Sequence, residues 1–112
     1  MNNVKDDNYY IRKMIDDIVF IINCTDDVNL NEFSDDEILN SAVSFKLIQI
    51  SENMGHLSSY LIDTHKEIPW GKIKGFRNKL VHDYGHIIYD VMFSTIKNDL
   101  PVLLDQLKSI IE

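Results

Sequence analysis

Apolar residues recur at helical spacing along almost the whole chain. Ile11, Ile15, Ile18 and Ile22 step by four, three and four, a repeat that lines one face of an α-helix. Asp6, Asp7 and Asn8 lie where a helix start favours capping side chains and negative charge. The first helix is therefore predicted over about 6–23. Cys24 to Phe33 is polar and reads as a loop. Ser34-Asp35-Asp36-Glu37 has the capping-box form, with Ser at the cap and Glu three residues on. A second helix is predicted over about 35–62, with Leu39, Val43, Leu47, Ile50, Met54, Leu57 and Leu61 as its seam. Beside the seam runs a second row, Ile38, Ala42, Phe45, Gln49, Glu52 and His56. It begins apolar and ends polar. Either the helix end emerges into solvent, or Gln49, Glu52 and His56 face a polar pocket.

Asp63 to Ile68 forms a short connection, and Pro69 suits the first position of a helix, where its missing N–H is harmless. Ile73, Phe76 and Leu80 predict a third helix over about 70–83, with Gly85 as its stop. A last helical region runs from about Asp90 to Ile111 on the stripe Ile96, Leu100, Leu103, Leu107 and Ile110. Pro101 lies inside it and predicts a kink or a split. No segment alternates as a strand does. The expected fold is all-α: an antiparallel bundle of four to five helices, one domain over 1–112.

The composition of the 112 residues, 45% apolar and 26% charged, is that of a globular chain rather than a disordered one. The longest apolar run, Ile18 to Ile22, is far short of the roughly 20 residues of a membrane span, and Met1 to Asp7 lacks the apolar core of a signal peptide. One cysteine, Cys24, excludes an internal disulfide and fits a reducing cytoplasm, where it reads as an inert helix-end residue. Met14, Met54, Met92 and Phe45 read as core or dimer-interface packing rather than a cofactor box.

The formal charge of −7 excludes a generally basic nucleic-acid coat. Its distribution is uneven. Lys66, Lys72, Lys74, Arg77 and Lys79 face Glu67 alone, so fourteen residues carry +4 and the remainder −11. This is either a solvated basic helix face or a local anion site, with Lys72, Lys74 and Lys79 as candidate phosphate contacts.

The basic stretch runs into Arg77-Asn78-Lys79-Leu80-Val81-His82-Asp83-Tyr84-Gly85-His86. Arg77 is a permanent cation whose planar fork suits phosphate oxygens, and His82 can exchange a proton near neutral pH. Those are the minimum parts for phosphodiester cleavage at a ribose. One group moves protons and the other stabilises charge growing on phosphorus. The 2′-hydroxyl of RNA supplies the nucleophile, so neither a metal nor a cofactor is needed, and DNA should be inert. Five residues along an ideal helix leave Arg77 and His82 about 140° apart, so a straight helix cannot place them side by side. Either the helix ends near His82 or a second chain completes the site. His82 as a mere helix C-terminal cap is the simpler alternative. His82 and His86 at four-residue spacing could ligate zinc, but Gly85 interrupts that helix and no H-E-x-x-H is present.

This segment resembles the HEPN superfamily and, within it, the HepT-like toxin branch marked by R-N-x-x-x-H-x-Y. Arg77-Asn78, His82 and Tyr84 match without departure. Ile68-Pro69-Trp70, Gly75-Phe76 and Asp99-Leu100-Pro101 extend the likeness, and Ile50-Ser51-Glu52 stands where the branch usually has I-G-E. The resemblance implies a metal-independent RNase that leaves cyclic-phosphate ends. It implies a homodimer in which two motifs meet in one cleft, with Arg77 and His82 as the nuclease pair. Asn78 and Glu52 would support Arg77. It also implies a partner nucleotidyltransferase antitoxin that attaches AMP to Tyr84. A subunit without catalysis, which binds nucleotide or scaffolds a nucleotidyltransferase, is the alternative within the same superfamily.

Overall fold

A computed structural model describes residues 6–82 and 89–111, and every regular element among them is helical. In chain order these are α1 (Asp7–Thr25), α2 (Leu30–Asp35), α3 (Glu37–Met54), α4 (Ser59–Thr64), α5 (Trp70–His82), α6 (Tyr89–Ser94), a π turn (Thr95–Asp99) and α7 (Leu100–Ile111). Asp6 caps α1 by accepting from the Tyr9 amide at 3.0 Å, which satisfies one of the four donors a helix start leaves free. The buried stripe of α1 is Ile11, Met14, Ile18, Ile21 and Thr25. Ile15 and Ile22, expected on the core face, are only partly buried at its margin. α1 packs on α3 and α7, and α5 packs on α3. The core joins the α1 stripe to Val43, Leu47 and Ile50 of α3 and to Met92, Ile96, Leu100, Leu103 and Leu107. Removing this much apolar surface from water is the main force holding so small a bundle.

Seven α segments are described where four to five helices are expected, and three features account for the difference. First, the polar stretch after Cys24 contains α2. Its capping box is Asn29 with Glu32, at 2.9 and 3.0 Å, so Ser34 sits inside a helix rather than capping one. Asp36 caps α3 through the Leu39 amide at 3.0 Å. The buried Asn40 side chain then donates to the carbonyls of Phe33 and Ser34, at 3.1 and 3.4 Å, which ties the end of α2 to α3. Second, the helix predicted over 35–62 breaks. The Gly55 N–H donates to the carbonyls of Ser51 and Glu52, both at 3.1 Å, and α3 ends there. Ser58 starts α4 by accepting from the Leu61 amide at 3.1 Å. Third, the kink or split expected at Pro101 takes the form of a π turn just before it, between α6 and α7. Proline has no N–H and its ring crowds the carbonyl four residues back. The chain answers one turn earlier, where the Leu100 N–H bonds the Thr95 carbonyl five residues back.

Candidate active site

α5 begins at a built corner. The Pro69 carbonyl accepts from Lys72 and Ile73, at 3.1 and 3.2 Å, so Pro69 stands at the cap rather than inside the first turn. The Trp70 indole N–H donates to the His65 carbonyl at 2.9 Å and locks the ring. A second brace holds the facing turn. Asp7, in the first turn of α1, accepts from the Ser58 amide at 2.8 Å and from its hydroxyl at 2.6 Å. His56 stacks on Tyr10 with centroids 4.7 Å apart, so it leaves the polar row predicted for α3 and braces α1 instead.

Arg77 meets Glu52 across the α3–α5 contact. Its Nη2 and Nε both donate to Glu52 Oε1, at 2.8 and 3.1 Å, and its Nη1 donates to Asn78 Oδ1 at 3.2 Å. Grips on three nitrogens fix the plane of the guanidinium. The two side chains remain 32% and 52% exposed, so the pair is worth no more than about 1 kcal/mol to the fold. What it supplies is orientation of a permanent cation.

The pair edges a groove of about 530 Å³ between α3, α4 and α5. Met54, Leu57, Ile62 and Trp70 form its apolar walls, and Glu52, Lys74, Arg77 and Asn78 form its polar end. Of the candidate lysines, Lys74 reaches the groove. Lys72 and Lys79 are exposed elsewhere, about 160° and 140° around α5 from it on an ideal helix. His82, in the last described turn of α5, is exposed and is not part of the groove. The fold therefore gathers Arg77, Asn78, Glu52 and Lys74 and leaves His82 apart, as the 140° argument requires of one chain. Tyr84, Gly85 and His86 lie outside the described residues, and with them the expected helix stop and the His82–His86 pairing. Sequence reasoning overlooked Trp70 as a site residue. The signal was present: Trp70, Lys74 and Arg77 step by four and three, one face of one helix.

No described helix is long and apolar enough to cross a membrane. No solved structure matches the chain. Named proteins do. One of Caldanaerobacter subterraneus subsp. tengcongensis is 28% identical over 92% of both chains. One of Methanocaldococcus jannaschii is 32% identical over 72% of this chain and 74% of its own. Both carry the name "Putative RNase". The "Probable ribonuclease HepT" of Thermococcus cleftensis is 29% identical over 84% of this chain and 86% of its own. The family described as "Ribonuclease HepT-like" matches residues 14–110, which takes in α3, α5, the Glu52–Arg77 pair and His82. The chain belongs to the HepT-like ribonuclease family.

Proposed function

We propose that the protein is a metal-independent endoribonuclease toxin whose site is completed by two copies of the chain. The observation that carries the reading is Arg77, held in plane by Glu52 and Asn78 beside an open groove, on the same helix that carries His82. The His82 imidazole takes the proton of an RNA 2′-hydroxyl, and that oxygen attacks the adjacent phosphorus. Arg77 stabilises the charge that gathers on the phosphoryl oxygens. The 5′-oxygen leaves and takes up a proton, giving a 2′,3′-cyclic phosphate and a free 5′-hydroxyl.

A second copy supplies what one chain lacks. The row Ile38, Ala42, Phe45 and Gln49 on α3 leads to Glu52, and Ile38 and Phe45 are 85% and 57% exposed. Such an apolar strip marks an interface. A copy seated on it reaches the Arg77 end of the groove, where His82 of the partner subunit completes the pair. Control falls to a nucleotidyltransferase partner that attaches AMP to Tyr84, two residues beyond His82. The added phosphate competes with RNA for Arg77. The separation of His82 from Arg77 favours one rival, a scaffold subunit without catalysis. The test is purified protein on RNA with EDTA present. The expected result is cleavage to cyclic-phosphate ends, no cutting of DNA of the same sequence, and a mass in solution twice the 13.1 kDa of the chain. No RNA cleavage under any condition would leave the scaffold reading.

A further inference from the structure

We infer that the groove beside Arg77 is a slot for one unpaired base of the RNA strand, stacked on Trp70 with its phosphate on Lys74 and Arg77. The inference rests on the ribonuclease reading for its substrate and adds the part of the strand that the groove takes. Trp70, Lys74 and Arg77 share one face of α5, and about 10 Å of helix axis separates the first from the last. An aromatic ring, then an ammonium, then a guanidinium matches the order of base and phosphate along one nucleotide. The ring is pre-set, because the indole N–H is bonded to the His65 carbonyl at 2.9 Å and Trp70 is half-buried. Little freedom is lost when a base stacks on it. Met54, Leu57 and Ile62 supply apolar walls, and the volume of about 530 Å³ suits a small ligand.

The charge points the same way. Lys74 and Arg77 bring two cations to the groove against the single carboxylate of Glu52, in a chain of net charge −7, so an anion meets a locally positive place on an otherwise acidic chain. An apolar peptide in the groove would cover Lys74 and Arg77 without compensating them. In a duplex, neighbouring pairs cover both faces of every base, so only a single strand can offer one to Trp70. The slot thus predicts a nuclease for single-stranded RNA.

Trp70 is the chain's only tryptophan, so its emission reports occupancy without reference to catalysis. The unmodified protein is titrated with a short 2′-O-methyl single strand, which cannot be cut. The same sequence closed into a hairpin stem and free AMP serve as parallel arms. Saturable quenching by the single strand, weak or absent with the stem, is expected. In the cleavage assay Trp70→Leu should raise KM for single-stranded RNA by about 5- to 150-fold, the usual worth of one stacked base, with kcat nearly unchanged. Trp70→Phe, which keeps a stacking face, should recover most of that. Cleavage by a protein whose emission never responds to the single strand would overturn the slot and leave the nuclease standing. Quenching by AMP but not by the strand would also overturn it, in favour of a free-nucleotide site. Quenching by the strand without cleavage would keep the slot and remove the nuclease.

Discussion

α1 and α5 are both amphipathic helices packed on α3, yet they are held on opposite terms. α1 has 19 residues, and five of them are buried in one stripe. Its termini are secured as well: Asp6 caps the start, and the Lys97 ammonium donates to the Thr25 carbonyl at the end. α5 has 13 residues and buries Leu80 alone. Ile73, Phe76 and Trp70 pack only partly against the core, and glycine stands at positions 71 and 75. The candidate chemistry sits on α5. Side chains that must meet a substrate cannot also be buried, and the helix of the candidate site is the lightly anchored one. Substitutions in α5 should therefore change activity and spare the fold, while substitutions in α1 should do the reverse.

The largest effect tests the α5 half of that contrast. His82 is exposed, and its replacement leaves no cavity. His82→Ala should lower the rate of RNA cleavage by about 10²–10⁴-fold. Thermal unfolding followed by circular dichroism should not shift. A variant that cuts as well as the parent would remove His82 from the mechanism.

The α1 half is tested next. Ile18 is fully buried at the centre of the α1 stripe. Ile18→Ala should cost about 2–5 kcal/mol of stability, read from the urea midpoint, because the cavity adds to the lost transfer energy. The protein that remains folded should cleave with the parent's kcat. An unchanged midpoint would show that α1 is no better anchored than α5.

The contrast was partly legible in the sequence. Periodicity together with the polar cap at Asp6 and the start at Pro69 located both ends of α1 and the start of α5 to within a residue or two. The stripe of α1 was read with Ile15 and Ile22 where Met14 and Ile21 are buried, since every third or fourth position there is apolar and several stripes fit. α2 was hidden because Asn29…Glu32 and Ser34…Glu37 both satisfy the capping pattern, and only packing of Phe33 selects the first. The break at Gly55 was masked by the Met54–Leu57–Leu61 spacing, which continues a helical repeat across a turn. In the site, the structure shows Glu52 bonded to Arg77, and of the three lysines that the sequence groups together only Lys74 shares the groove. Charge counts carry no direction around a helix; angles do.

A smaller effect refines what lightly anchored means. Glu52 and Arg77 are partly exposed, so breaking their pair should hardly alter stability. It frees the guanidinium to rotate. Glu52→Ala should lower kcat/KM about fivefold, the scale of an interaction near 1 kcal/mol. Glu52→Gln keeps an acceptor for Arg77 and should recover part of the loss. Equal losses in the two variants would mean that the charge of Glu52, not its grip, is what matters.

The smallest effect bears on why α5 is loose at all. Gly75 lies in the middle of α5, where glycine is worse than alanine by about 0.5–1 kcal/mol through the freedom it loses on folding. A Cβ at Gly75 would meet no described atom within 4 Å, whereas one at Gly55 would come 3.3 Å from the Glu52 carbonyl. Nothing within the described chain therefore asks for glycine at 75. Gly75→Ala should raise the unfolding free energy, read from the urea midpoint, by that amount, narrowing the difference between α5 and α1. Cleavage then decides what the glycine is for. If α5 faces open solvent there, activity is kept and the looseness is incidental. If a second chain or the RNA backbone approaches closely on that side, the stabilised variant loses activity, because the added methyl stands in the approach and not in the fold.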